Sequence, residues 1–321
     1  MRAVVVGTNG GAELVEAERP AASAGEMLVH VEAAAICSTD RKLAALGAAK
    51  PVILGHELAG RLQDGRAVGI HPDIGCGECA FCRAGFENRC LDRVSIGIDR
   101  NGGLAEWVAV PERHALPLDG VPLELSPVLE PLACCLHAVM LLDVQPGDPA
   151  LVVGAGAMGI LSMWALQQAG ARVAVSQRSP ERRRLAAELG ADAVLGPGES
   201  VAQALGQSPR VAIVTAPGAE PLAWALEEVA VAGAVHAFAG TPGGALIDAN
   251  VAHYRHLTLV GSTGSSLSDY RRALELVSSG RVRLDRLPAT TVPLDQVPEV
   301  LLGRRSTPGL KVLVDVGGSN E

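Results

Sequence analysis

The stretch Leu151-Val152-Val153-Gly154-Ala155-Gly156-Ala157-Met158-Gly159 decides the fold of one half of the chain. A short apolar run ends in G-x-G-x2-G, and an apolar-periodic segment follows through Ala169, so the reading is strand, glycine turn, helix. Glycines here allow a tight turn, a close approach of a pyrophosphate to the backbone, and close packing of the helix, whose N-terminus favours the anion. The same texture continues downstream. Arg172–Ser176 reads as the next strand and Pro180–Leu189 as the next helix, and Val211–Thr215, Ala234–Ala239 and Thr258–Val260 read as further strands. Ser268–Ser279 reads as an amphipathic helix with Tyr270, Ala273, Leu274 and Val277 on one face. Alternation of this kind predicts an α/β domain with a doubly wound parallel sheet.

The second strand ends at Ser176-Gln177-Arg178-Ser179, where a site that prefers NAD places an acid against the ribose 2′-hydroxyl. Gln177 stands there instead, and Arg178 follows, with Arg182, Arg183 and Arg184 beyond it. Without a carboxylate the repulsion toward a 2′-phosphate is gone, and a guanidinium binds phosphate through two donors. The alternative is a solvated basic face. The expectation is NADP(H) over NAD(H), held by Gly154, Gly156, Met158, Gly159, Ser176, Gln177, Arg178 and Arg183. Thr241, Ser262 and Thr263 lie on loops after later strands, where an open α/β sheet binds its ligand.

Upstream of about Pro146 the texture differs. Short apolar runs such as Ala3–Val6 and Met27–Val31 alternate with glycine and proline turns, so residues 1–120 read as β-rich. From about Arg283 short strands return (Thr290–Val292, Lys311–Val316) and could complete the first domain. The expected division is 1–140, 141–282, and a return over 283–321. A length of 321 residues with 48% hydrophobic residues suits two domains. The net charge of −8, with lysine only at 42, 50 and 311, excludes the basic face of a nucleic-acid binder and a polybasic membrane patch. Three Phe, three Trp and two Tyr leave little for stacking bases. No apolar run reaches about 18 residues, and MRAVVVG at the start lacks a secretory pattern. The expected location is therefore the cytoplasm.

Seven cysteines in such a chain point to metal or core roles rather than disulfides. Cys76-x2-Cys79-x2-Cys82-x7-Cys90 places four thiolates within fifteen residues, enough to close a tetrahedral structural Zn²⁺ site. Cys37, His56-Glu57 and Glu130 form a dispersed second set. Each also reads as an ordinary core or surface residue, and spacing does not join them. Cys134, Cys135, His71 and His137 read as core.

These motifs together resemble the zinc-dependent medium-chain dehydrogenase/reductase (alcohol dehydrogenase) family, in its sorbitol- and threonine-dehydrogenase-like branch. The resemblance runs from Met1 to about Gly317 through CSTD (37–40), GHELAG (55–60), the four-cysteine lobe, NGGLAEWVAVP (101–111), EPLACCLHA (130–138) and GAGAMG (154–159). It implies a β-rich, GroES-like catalytic domain carrying the zinc lobe (76–90), joined to a Rossmann domain. It also implies two Zn²⁺ per chain. Cys37, His56 and Glu57 would hold the catalytic ion, and Glu130 would be a further ligand or reach the metal through water, trading places with Glu57. Asp40 would orient His56 as a carboxylate behind a ligating imidazole does. Thr39 takes the place of the hydroxyl that exchanges a proton with the alcohol. The proton then passes in the family to a histidine five residues after the cysteine, where this chain has Lys42. Lys42 is either a relay of lowered pKa, a contact to cofactor ribose or phosphate, or a surface lysine. Only RLQDGRAV separates Gly60 from Gly69, where relatives carry a longer hairpin.

Three functions compete. The first is a zinc enzyme moving hydride between a nicotinamide cofactor and a secondary alcohol, polyol or amino alcohol. The second is an NADPH-dependent reductase of an activated C=C or C=N bond, supported by the altered relay. The third is a non-catalytic nucleotide-binding zinc protein, which would not need Cys37, His56, Glu57 and Glu130 together. The first is the expectation, with a small polar alcohol or ketone as substrate and a homodimer or homotetramer as the assembly.

Overall fold

A computed structural model describes residues 1–318. The chain divides into two compact units: Met1–Ala133 with the stretch from Gly264 onward, and Cys134–Thr263.

The second unit is built on six parallel strands. Numbered along the chain as Pro149–Val153, Arg172–Ser176, Ala193–Leu195, Val211–Val214, Ala234–Ala237 and Thr258–Gly261, they lie in the order third, second, first, fourth, fifth, sixth. That is the doubly wound order, with its reversal beside the first strand. Pro149–Val153 is buried at every position, as a central strand covered on both faces must be. The helix Ala157–Gln168 follows, and Ser179 caps the next, Pro180–Glu188, by accepting from the Arg182 amide, with proline in its first turn.

The first unit is a β structure closed by chain from both ends of the sequence. One sheet runs Ala115–Pro117, Ala67–Ile70, Glu57–Arg61, Glu26–Ile36, Lys311–Asp315, Ala289–Pro293, and Trp107–Pro111 also pairs with Glu26–Ile36. Its core mixes Val4, Leu54 and Leu58 with Val292, Val297, Val312 and Val314. The short hairpin between Gly60 and Gly69 turns on Leu62–Arg66, closed by the Leu62 amide donating to the Arg66 carbonyl at 2.9 Å.

The division into units differs from the expected boundaries. Residues 264–282 were expected to finish the nucleotide domain, yet the helix Leu267–Ser278 belongs to the first unit. Its fully buried Tyr270 lies over Gly69, where a Cβ would meet the phenol oxygen at 2.6 Å, and edge-on to His71. An amphipathic pattern marks the buried face and does not say which core receives it. The other boundary moves from 140 to 133, inside the helix Leu129–Met140. Among the described residues no helix is long and apolar enough to cross a membrane.

Candidate functional site

Two groups of metal-ligating side chains converge in the first unit. The first is the four-cysteine lobe. One ligand atom from each of Cys76, Cys79, Cys82 and Cys90 lies within 4.8 Å of the others. Backbone amides support the sulfurs: Cys79 donates to Cys76 Sγ at 3.3 Å, Cys76 to Cys90 Sγ and Cys82 to Cys79 Sγ, both at 3.4 Å. Amides of Glu78 and Cys79 draw the Cys76 thiol down to about 7. Four sulfurs at tetrahedral reach, turned inward by the local backbone, fit a closed Zn²⁺ site.

The second group is Cys37, His56 and Glu57, whose ligand atoms also lie within 4.8 Å of one another. Sheet register brings them together. Glu26–Ile36 ends beside Cys37, and the antiparallel strand Glu57–Arg61 begins with Glu57 opposite Ala35. Cys37 then caps the helix Ser38–Leu46, with Asp40 Oδ2 accepting from the Cys37 amide at 2.8 Å. The other oxygen of the fully buried Asp40 faces His56 Nδ1 at 3.4 Å, leaving Nε2 as the nitrogen free to ligate. Burial opposes a proton on His56, but the charge of Asp40, and then hydrogen bonding to Asp40 and Cys37, outweigh it and hold its pKa well above the ordinary value. Thiolate, imidazole and carboxylate converging in a buried place form a donor set that fits Zn²⁺ with a position to spare.

Glu130, buried on the helix Leu129–Met140, is not one of these three, although its charge is felt by Lys311 and by Tyr270. Thr39 is half-buried in the first turn of its helix, with its Oγ1 accepting from Cys37 Sγ at 3.9 Å. Lys42 is exposed on the same helix. One residue of the cluster escaped the sequence reading. Lys311, buried at the start of its strand, places Nζ at 2.6 Å from Glu57 Oε1 and 2.5 Å from Oε2. Burial pushes its pKa down, but Glu57, Cys37 and Glu130 together hold it above the ordinary value. The one available signal was its type: the chain spends 3 of its 27 basic residues on lysine.

Around His71 the sequence showed no partner, and the structure supplies two. His71 Nε2 lies 2.9 Å from the Ser265 carbonyl, and its Nδ1 lies 3.3 Å from His114 Nδ1. Arg113 donates to His114 Nε2 at 3.1 Å and to the Gly75 carbonyl at 3.3 Å, next to the lobe. A nitrogen that accepts from a guanidinium carries no proton, so this imidazole is held neutral.

In the second unit the glycine loop fits a dinucleotide. A Cβ on Gly159 would meet the Gly154 carbonyl oxygen at 1.9 Å, so that glycine is required for helix and strand to pack. Gly156 caps the helix without a side-chain bond, and a Cβ there would meet open space, which leaves the first-turn amides to a ligand. Met158 is half-buried in that first turn, and its carbonyl accepts from Cys135 Sγ at 3.6 Å. Ser176 ends its strand. Gln177 turns its Oε1 onto the Ser179 amide at 3.2 Å, and Arg178 is exposed. Arg183 departs from a simple basic face: its Nη1 donates to the Gln177 and Arg178 carbonyls at 2.8 and 3.0 Å, fixing the turn. Thr241 follows the fifth strand, while Ser262 and Thr263 follow the sixth. Ser262 Oγ is 3.0 Å from Nε2 of buried His236.

Comparison with known proteins places these features in one family. Residues 23–120 match the alcohol dehydrogenase GroES-like domain, and residues 157–279 match the zinc-binding dehydrogenase domain. An L-threonine 3-dehydrogenase of Pyrococcus horikoshii is 32% identical over 301 residues, covering 86% of each chain. An L-galactonate-5-dehydrogenase of Escherichia coli K12 is 28% identical over 311 residues, 89% of this chain and 91% of that one. Among solved structures, one from Sinorhizobium meliloti 1021 described as a zinc-binding dehydrogenase bound to NADP superimposes with a TM-score of 0.90. It has 32% identity and covers 98% of this chain and 99% of its own. The chain belongs to the zinc-dependent medium-chain dehydrogenase/reductase (alcohol dehydrogenase) family and is an oxidoreductase.

Proposed function

We propose that the protein transfers hydride between NADP(H) and a small secondary alcohol, polyol or amino alcohol and its ketone, with one catalytic and one structural Zn²⁺ per chain. The convergence of Cys37, His56 and Glu57 carries this reading. A binding protein has no use for a half-buried thiol and a buried imidazole and carboxylate within 4.8 Å of one another, with a carboxylate behind the imidazole. Bound there, Zn²⁺ supplies Lewis acidity that lowers the pKa of an alcohol and polarises a carbonyl. The nicotinamide supplies the hydride acceptor or donor.

The chain's own residues do the rest. Cys37, His56 and Glu57, with Glu130 as a further ligand or a relay, would hold the metal, and Asp40 fixes the ring of His56. Thr39 accepts the proton that leaves the substrate hydroxyl. Lys42, exposed on the same helix, would pass it toward solvent as an amine of lowered pKa or would meet the cofactor ribose or phosphate instead. Gly154, Gly156, Met158 and Gly159 would cradle the pyrophosphate. Ser176, Gln177 and exposed Arg178 would receive the adenosine ribose and its 2′-phosphate, with Arg183 holding that turn. Thr241, Ser262 and Thr263 would line the nicotinamide. Cysteines at metal-ligand spacing rather than in a disulfide framework suit a reducing cytoplasm, and a homodimer or homotetramer is the proposed assembly.

The test is the metal content of the purified protein together with Cys37→Ala. A zinc ratio near two, turnover of polyols or amino alcohols with NADP⁺, and loss of that turnover in Cys37→Ala with nucleotide binding intact are expected. A ratio near one, or full turnover in the variant, would sink the proposal and move the C=C or C=N reductase to first place.

A further inference from the structure

One buried imidazole of the second unit lies near the carboxyl end of its sheet. His236 is fully buried in the fifth strand, Ala234–Ala237, and its register partner on the sixth, Thr258–Gly261, is Val260. Side chains two residues apart share a face of a strand, so Ser262 follows Val260 onto the face of His236. Its Oγ lies 3.0 Å from His236 Nε2. The other ring nitrogen, Nδ1, is enclosed and has no hydrogen-bond partner among the described residues. The ring of Phe238 lies beside it, with centroids 5.7 Å apart.

That asymmetry fixes the proton. Burial, and then the charge of His137, push the ring down to about 4, so it is neutral and carries one N–H. Placed on Nδ1, the proton would sit in the core without an acceptor, the rarer and costlier arrangement. Placed on Nε2, it donates to Ser262 Oγ. A serine hydroxyl has one proton and two lone pairs. An oxygen that accepts from the imidazole therefore keeps its own O–H for another partner. Ser262 is only half-buried, so that partner can come from outside the core. The sheet order says which. In a doubly wound sheet the first three strands take one mononucleotide half of a dinucleotide and the last three take the other. Gln177 and Arg178 follow the second strand, on the adenosine side, so Ser262, after the sixth, belongs to the nicotinamide side. The nicotinamide ring offers one strong acceptor, the oxygen of its carboxamide.

We infer that His236 is a positioning residue that holds the Ser262 hydroxyl as an outward donor to the carboxamide oxygen of the nicotinamide. One fixed donor on the carboxamide restricts rotation of the ring, and so the place of the carbon that carries the hydride. The inference rests on the dinucleotide reading above and adds how one contact of the reacting ring is set from inside the sheet.

His236→Leu tests it by equilibrium binding of two probes, NADPH and 2′-phospho-ADP-ribose, which lacks the nicotinamide. NADH and ADP-ribose replace them should the parent prefer NAD(H). Leucine keeps the core apolar and removes an unpaired nitrogen, so the fold is expected to hold. NADPH is expected to bind about three- to ten-fold more weakly, the scale of one neutral hydrogen bond, with binding of the fragment unchanged. Ser262→Ala should show the same loss, and the double variant no more than either. His236→Gln, whose amide can still donate to Ser262, should recover most of the parent affinity. Equal losses for both probes, no loss for either, or losses that add in the double variant overturn the inference. Should His236→Leu not fold, His236→Asn takes its place, since its side chain stops short of Ser262. A parent that binds neither dinucleotide refutes the functional reading itself, whereas a parent that binds one, with the variants unchanged, refutes the inference alone.

Discussion

The two groups of donors lie in one unit and use the same element of chemistry, a thiol aimed at a cation, yet they are built for opposite ends. In the lobe every donor is sulfur, all four lie within fifteen residues, and backbone amides are the neighbours that hold them. Exposure runs from Cys76 in solvent to Cys90 buried. In the other group the donors differ in kind, come from stretches separated in sequence, and are surrounded by charge: Asp40 behind His56 and Lys311 against Glu57. A set that satisfies its metal completely stabilises a loop and has nothing left to offer a substrate. A mixed set with ionic partners keeps a position open and can be adjusted through those partners.

If this contrast is right, damage to the two groups should separate cleanly. Cys37→Ala is expected to lower kcat/KM by about 10³-fold or more while leaving the melting temperature close to the parent. Cys90→Ala is expected to do the reverse in kind, with loss of roughly 3 kcal/mol or more of stability through loss of the lobe's metal. Calorimetry beside initial rates reads both, and a Cys90→Ala protein as stable as the parent breaks the comparison. A smaller effect is expected at Asp40→Asn. Its side chain retains shape but loses the charge that holds His56, so zinc affinity of the second group and turnover should each fall about 10–100-fold. The lobe's zinc should stay, which competition with a chromogenic chelator resolves in two phases.

The smallest effect concerns the imidazole pair beside the lobe. Burial above all, and then the charge of His71, push His114 down to about 3, and burial pushes His71 down as well. The unfolded chain takes up protons below about pH 6.5, whereas the folded chain keeps His114 neutral until near 3. Stability is therefore present above about pH 6.5 and is lost as the pH falls below it, at roughly 1.4 kcal/mol per pH unit for each such proton. Urea unfolding between pH 7 and 5 in excess zinc should show that slope, and His114→Gln should flatten it. An unchanged slope would remove the pair from the account of how the lobe is tied down.

How much was legible follows from how far apart the parts lie in sequence. Gly154, Gly156 and Gly159 form one turn, and the four cysteines form one loop, so spacing alone carries their geometry. The doubly wound sheet was legible for the same reason, since each strand–helix unit is local. Cys37, His56 and Glu57 are joined by register, with Ala35 against Glu57, and no local pattern encodes register across the 21 residues between them. Only the family resemblance linked them. Lys311 was invisible because its partner lies 254 residues away. His71 lacked a partner in the sequence because His114 arrives through a backbone pairing, the His71 amide donating to the His114 carbonyl at 3.0 Å.

The discontinuity of the first unit bears on how the molecule is made. Cys134–Thr263 is one uninterrupted stretch, so a chain emerging from the ribosome can fold it while the remainder is still being synthesised. The first unit has no such freedom. Its central strand Glu26–Ile36 lacks the neighbour Lys311–Asp315 until the last part of the chain appears, and until then its end, Ala33–Ile36, stays unpaired on that side. During that interval Glu57 also lacks the ammonium that neutralises it. The acidic, metal-attracting end of the sheet is thus completed last, after the nucleotide-binding unit can already have formed.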